Sequence, residues 1–422
     1  MKPAFFENQT LSPNRTRSLI LPDNSKILLY IGYPPETGYA INRLKMAFAS
    51  AAGQLAESGD HVVTAWAAPD ARLARVSPSE VIVDSRLRLP ETRREFVSLL
   101  QDENIWGLLG LDLELTSPHV RLARTAGVES IISYWGAPMT GRFPMWLRPL
   151  KAMQTKLNRK RPDHYIFESE AMRRTGVINL GIPPCETSMV PLGVNLKRFT
   201  IPKDSGYCAR IFGFNPSRHV VVYSGHFEER KGLAVLIRAA IDIIDRRRRR
   251  DIHFVLAGNR TADQASPYRN LLRGSTAEGF VTFAGYRSDL PSIFADAYLG
   301  CIPSSGWDSL TVSAIEMQAS GVPVIVSALQ GLPEAIIPGE TGLTFRPCDH
   351  QALANLIIRL VDDTDCRKRM SKAAVRHASL HFSEVVHEAR LAEVMRQQFL
   401  RKRRRWENVN AWGAVDGRER GS

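Results

Sequence analysis

The sequence predicts an α/β protein with two parallel-sheet domains, and three observations carry that prediction. Short apolar runs that read as buried strands alternate with segments whose apolar residues recur at helical spacing, from residue 26 to beyond residue 380. A chain of 422 residues is long for one core and sufficient for two. The pattern breaks once, over residues 200–218, where Pro202, Gly206 and Pro216 mark a linker. The expected divisions are a loose leader over 1–25, a first domain over 26–199, a second over 219–382, a terminal helix over 384–405 and a disordered tail over 406–422.

In the first domain, Lys26–Ile31 reads KILLYI, a buried strand. A turn with Gly32 and Gly38 follows, then a helix with Leu44, Phe48, Ala51, Ala52 and Leu55 on one face. Residues 61–66, 81–84, 105–109 and 130–134 read as further strands, with helical segments between them. Residues 141–162 differ in character: seven basic residues, no acidic one, and Trp146, Leu150, Met153 and Leu157 interleaved among them. A basic amphipathic helix with Trp at one end suits an anionic membrane interface. The same pattern also fits a helix whose apolar face packs on the core and whose basic back is solvated.

The second domain opens on a strand over 220–224 and the turn Gly225-His226-Phe227-Glu228-Glu229-Arg230-Lys231-Gly232, ahead of a strongly periodic helix. A strand over 253–258 ends in Gly258-Asn259, and one over 281–283 leads to Tyr286. Next come a strand over 297–302, a polar turn, a helix through Val312, Ile315 and Ala319, and a strand over 324–327. Ser309 is a suitable N-cap, and the amides of Leu310, Thr311 and Val312 then point out of the helix start, where an anion is favoured. Asp308 and Glu316 are carboxylates with seven residues between them, bracketing that helix start. Helices over 350–362 and 365–379 close the domain.

Composition narrows the class. A hydrophobic fraction of 44% with 23% charged residues describes a soluble globular chain. The five cysteines are scattered without metal-ligand spacing, so neither a zinc site nor a disulfide framework is indicated, and a reducing cytoplasm is the expected compartment. No apolar run is long enough to span a bilayer. The net charge of +13 favours an anionic partner, such as a phosphorylated substrate, an anionic membrane surface or nucleic acid. No nucleic-acid recognition motif supports the last, so no nucleic-acid partner is expected.

The turn at 225–232, the Asp308/Glu316 pair, the Gly181-Ile182-Pro183 turn and the segment Val190-Pro191-Leu192-Gly193-Val194-Asn195 together resemble the GT-B glycosyltransferases, in particular retaining glycosyltransferase family 4. Three features depart from the family pattern: Asp308 stands where Glu is usual, His226 where Arg is usual, and no His occurs in the strand-end segment 131–138. The resemblance implies two Rossmann-like domains facing a central cleft, with the terminal helix crossing back to the first. It implies sugar transfer from a nucleotide-sugar donor to a glycan or polyprenyl-linked acceptor, in polysaccharide or lipopolysaccharide assembly. The implied roles are Lys231 and Arg230 on the diphosphate with the amides of residues 309–312, Glu316 on the ribose and Asp308 on the donor sugar. Gly225, His226, Gly258, Asn259 and Tyr286 would lie about the nucleotide, with Gly38 facing the cleft. No metal or other cofactor is implied. His119 and His164 are the nearest acceptor-side candidates in sequence. Work on the inner face of the membrane is the implied setting. A non-catalytic scaffold or partner subunit of the same fold is the alternative, motivated by the departures.

Overall fold

The computed structural model describes residues 21–416 apart from 23, 36, 56–60, 140–144, 200–203 and 260. Most of the expected leader, part of the basic segment and the last residues of the tail lie outside the described residues. The chain forms two compact units, Met1–Glu168 with Met172–Val190 and His387–Ser422, and Ser169–Ala171 with Pro191–Val386.

The first unit is built on β1 (Lys26–Ile31), β2 (Val62–Ala68), β3 (Ala74–Ser77), β4 (Glu80–Asp84), β5 (Ile105–Leu111), β6 (Ser130–Trp135), β7 (His164–Phe167) and β8 (Thr187–Met189). They form one sheet in the order β3-β4-β2-β1-β5-β6-β7-β8. All neighbours are parallel except β3 and β4. The central strands are buried on both sides, so they read as continuous apolar runs. The edge strand β3 is largely exposed and carries no apolar alternation, which is why sequence reading misses it.

One face of this sheet packs on the helix Tyr39–Gly53 through Phe48, Ala51 and Ala52, together with Leu391, Met395 and Phe399 of the last helix. The other face carries Phe96, Leu99, Val120 and Ala123. The last helix thus completes the first unit's core. Its seat is shaped by Gly107 on β5: a Cβ there would lie 2.7 Å from the Phe399 ring. This helix runs Glu384–Asp416, so it continues through most of the stretch expected to be a disordered tail. Salt bridges such as Arg403–Glu407 one turn apart support the extension.

The second unit holds β9 (His219–Ser224), β10 (Ile252–Ala257), β11 (Val281–Gly285), β12 (Leu299–Ile302), β13 (Val324–Ser327) and β14 (Gly342–Phe345). Their order is β11-β10-β9-β12-β13-β14, all parallel. That is the doubly wound order, in which the connections leave in opposite directions from the pair β9 and β12. The unit begins at Pro191 rather than at 219. The expected linker holds a short helix, Tyr207–Phe212, flanked by left-handed Gly206 and Gly213. Asp296 fastens it by accepting from the amides of Gly206 and Cys208, both at 2.8 Å. Gly206, which suggests a linker, is here the N-cap of this short helix.

Candidate functional site

In an open parallel sheet a ligand binds outside the carboxyl ends of the strands, at the point where the winding reverses. In the second unit that point lies between β9 and β12, and the turns that follow those two strands carry the expected charged residues. Gly232 ends the first turn with φ +68°, and a Cβ on it would sit 1.9 Å from the Pro303 carbonyl oxygen in the second. Only glycine permits that approach. The amides of Ser305 and Gly306 then donate to the Arg230 carbonyl at 2.8 and 3.0 Å. A Cβ on Gly306 would meet the Arg230 Cβ at 2.6 Å.

This locking brings Lys231 to Asp308. Lys231 Nζ donates to both carboxylate oxygens, at 2.9 and 2.8 Å. Asp308 is buried and also accepts from Ser304 Oγ at 2.6 Å and from the Ser309 amide at 3.1 Å. Its own amide donates to Gln330 Oε1 at 3.0 Å. A buried carboxyl group with this many donors is held in one place, and it fixes the Lys231 side chain in turn. Arg230 is more exposed. It stacks on Trp307 with its guanidinium carbon 4.0 Å from the ring centroid, donates to the Trp307 carbonyl and pairs with Glu228.

The helix behind the turn runs Val312–Ala319, and its N-cap is Thr311 rather than Ser309. The non-helical backbone continues two residues further than the sequence suggests, because Asp308 and Leu310 are anchored inward and keep residues 308–311 out of helical geometry. The first free amides of the helix are therefore those of Val312 and the two residues after it. Ser309 Oγ is buried and has no hydrogen-bond partner among the described residues. Glu316 is buried one turn into the helix.

The other expected residues line the neighbouring strand ends. The Gly225 amide donates to the Ala257 carbonyl at 3.1 Å, and the Gly258 amide to the Gly285 carbonyl at 2.9 Å. The turns after β9, β10 and β11 are thereby joined. A Cβ on Gly258 would lie 2.2 Å from the Phe227 ring and 2.7 Å from the Gly225 carbonyl oxygen. Asn259 Oδ1 accepts from the Phe227 amide at 3.3 Å. His226 is exposed, and its carbonyl takes the Tyr223 hydroxyl at 2.8 Å. Tyr286 is 53% exposed beyond β11. All of these belong to the second unit. Gly38 alone belongs to the first, where it precedes the helix Tyr39–Gly53 with φ +124°.

The two histidines named for the acceptor side are core residues. His119 is buried between the rings of Tyr30 and Phe96, with Nε2 2.9 Å from the Asp84 carbonyl oxygen. Burial pulls it down to about 4. His164 is the first residue of β7, at the end of the strand away from the ligand edge, and its Nε2 meets Ser188 Oγ at 2.8 Å. Burial pulls it down to about 4 as well. Both are neutral packing residues at physiological pH.

Comparisons with known proteins agree with this geometry. Residues 218–363 match the family model for "Glycosyl transferases group 1". A D-inositol 3-phosphate glycosyltransferase of Corynebacterium aurimucosum is 36% identical over 163 residues, covering 38% of this chain and 38% of that protein. The likeness thus spans well under half the length of that curated relative. A glycosyltransferase from Rickettsia africae matches the structure with a TM-score of 0.72 at 16% identity, over 89% of this chain and 99% of that one. The Anabaena protein HepE, solved in complex with UDP, matches with a TM-score of 0.70 at 18% identity, over 88% and 99%. The fold is GT-B. Within the second unit, the match to the group 1 glycosyltransferase model is confined to residues 218–363.

Proposed function

We propose that the chain is a retaining glycosyltransferase. It moves a sugar from a nucleotide-sugar donor to a glycan or polyprenyl-linked acceptor in polysaccharide or lipopolysaccharide assembly. The observation that carries this reading is the fixed Lys231–Asp308 pair at the switch point of the second sheet, beside a helix start. A departing nucleoside diphosphate gains negative charge as the sugar leaves. An ammonium already held at that point stabilises the charge with little reorganisation. Lys231 and Arg230 take the diphosphate, aided by the amides that open the helix Val312–Ala319. Glu316 takes the ribose hydroxyls, and Asp308 orients Lys231 and contacts the donor sugar. Tyr286 packs on the base. These cations and amides do the work that a divalent ion does elsewhere, so the reaction is metal-independent.

We place the working protein on an anionic membrane surface. The helix Arg148–Leu157 supports this, because its apolar side chains face outward: Leu150 is 54% exposed, Met153 53% and Leu157 71%, with Trp146 just before it at 75%. Only Thr155 of this helix is buried. The test of function is turnover of UDP-glucose, GDP-mannose and their relatives with a membrane extract as acceptor. Wild type releases nucleoside diphosphate from one of them, and Lys231→Ala does so on the order of a hundredfold more slowly. Binding of a nucleotide sugar without any transfer would favour a non-catalytic scaffold instead.

A further inference from the structure

The edge of the second sheet opposite the donor turns gathers two cations on one aromatic ring. β9, β10 and β11 are neighbours; Arg218 directly precedes β9, Arg250 stands two residues before β10, and Phe280 directly precedes β11. Both guanidinium groups lie over the buried Phe280 ring, with Arg218 Cζ 4.0 Å and Arg250 Cζ 5.3 Å from its centroid. The six residues of β9 set this edge about 20 Å from the donor turns.

Arg250 ends a run of five arginines, residues 246–250, that leaves a π-helical turn, Asp242–Arg246. Such turns are rare and concentrate at functional sites. The chain supplies carboxylates to three of the five. Arg246 and Arg247 pair with Asp242, and Arg249 pairs with Asp251 and Asp362. Among the described residues Arg250 has no carboxylate partner, and neither has Arg218. Glu278, two residues before Phe280, is exposed and pairs with neither.

Arg218 is half-buried and donates to neutral acceptors, His253 Nδ1 and the Gly279 carbonyl oxygen, both at a long 3.3 Å. Burial pulls His253 down to about 3, so it is neutral. Arg218 is itself held below its ordinary value, first by burial and then by the charge of Arg250. Two like charges thus repel each other on one support, with no anion of the chain to offset them.

We propose that Arg218 and Arg250 form a site for the dianionic phosphate of a phosphomonoester, separate from the donor site. Each guanidinium presents paired N–H donors that match two phosphate oxygens. A monoester phosphate carries close to two negative charges above its second ionisation near pH 6, so it offsets both cations. A phosphodiester or a single carboxylate leaves one cation unmatched. The phosphate belongs either to a soluble ester or to a phosphomonoester lipid headgroup, and both present the same group to the two arginines. The site does not depend on the reading of the donor turns.

The experiment is isothermal titration of the full chain with inorganic phosphate at pH 8, at constant ionic strength set by chloride, with thermal melts alongside. Lys231→Ala is the background, so that phosphate at the donor turns does not contribute. This protein binds phosphate, and adding Arg250→Gln or Arg218→Gln weakens binding about tenfold or more. Arg250→Lys, which keeps the charge without the fork, retains more binding than Arg250→Gln. In chloride alone Arg250→Gln melts no lower than its parent, because the repulsion is gone. In the otherwise wild-type chain Arg250→Gln leaves UDP affinity unchanged. Absence of phosphate binding in the Lys231→Ala background overturns the proposal, as does undiminished binding with Arg250→Gln. Loss of binding with a lower melting temperature in chloride also overturns it, since Arg250 is then structural, and so does loss of UDP affinity, since the site is then not separate. Vesicle sedimentation tells the two sources apart. Weaker binding of Arg250→Gln to phosphatidic acid vesicles, with binding to phosphatidylglycerol vesicles unchanged, supports the lipid headgroup, and unchanged binding to both supports the soluble ester.

Discussion

At the residue scale, the second unit depends on glycines as much as on charges. Gly232 cannot carry a side chain, since its Cβ would overlap the Pro303 carbonyl oxygen at 1.9 Å. Gly232→Ala should push the two turns apart, separate Lys231 from Asp308, and lower stability by on the order of 2 kcal/mol through a forced φ and a steric clash. A melting curve and a turnover assay read the two effects together. Asp112 in the first unit supplies a prediction in pH. Its folded-state value of about 6 lies above the ordinary 3.8, so the fold favours the protonated form. Its contribution to stability is then fully present below about pH 4 and is lost as pH rises through about 6. Asp112→Asn removes that loss, so its stability gain over wild type should be near zero at pH 4 and on the order of 1–2 kcal/mol at pH 8. Denaturant unfolding at the two pH values measures it, and a gain that is larger in acid would refute the assignment.

Lys231, Asp308 and Glu316 could be picked from the sequence because a turn flanked by glycines and two spaced carboxylates are local patterns. Their arrangement could not. The Lys231–Asp308 bond joins residues 77 apart, and nothing in either turn alone announces it. Ser309 reads as a cap because its residue type suits one, but inward anchoring of its neighbours delays the helix to Val312. Asp112 gives only a faint sign, a charged residue directly after an apolar run. Its burial, its backbone and its bonds to Tyr33 and Gly136 are all set by distant chain.

At the element scale, two helices behave differently from their sequence patterns. The last helix is legible through Leu391, Met395 and Phe399, but its length is not, because the stretch beyond Arg405 has no apolar periodicity to mark it. Phe399 is buried edge-on against Trp106, with ring centroids 5.5 Å apart, in the space left by Gly107. Phe399→Ala should cost about 3–5 kcal/mol and unfold the first unit at lower denaturant, seen by Trp fluorescence. For the basic helix Arg148–Leu157, periodicity alone allows a core face or a membrane face. The outward position of Leu150, Met153 and Leu157 favours the second. Each cation near an anionic surface contributes about 1 kcal/mol, and the apolar side chains add burial at the interface. Vesicles rich in phosphatidylglycerol should sediment the wild type at low salt and release it as salt rises. Changing Lys151, Lys156, Arg159 and Lys160 to Glu should abolish this. Equal binding to neutral and anionic vesicles would show that the helix has another use.

At the scale of the whole molecule, alternation of strand and helix was enough to predict two parallel sheets, since buried parallel strands read as unbroken apolar runs. The division between the units was less legible, because a six-residue helix held by Asp296 looks like a linker when its partner lies 88 residues away. Both sheets have a winding reversal, and on our reading that of the second serves the donor. Transfer should persist in EDTA, since cations and helix amides take the role of a divalent ion; complete and reversible loss on chelation would require a metal site instead. The claim on which all of this depends is that the switch point of the second unit binds a nucleoside diphosphate through Lys231. Isothermal titration of wild type and Lys231→Ala with UDP, GDP and ADP tests it most directly. The account predicts that one nucleotide binds wild type and loses about a hundredfold in affinity, ~2.7 kcal/mol, in the variant. Wild type that binds none of the three, or a variant that binds as wild type does, would contradict it.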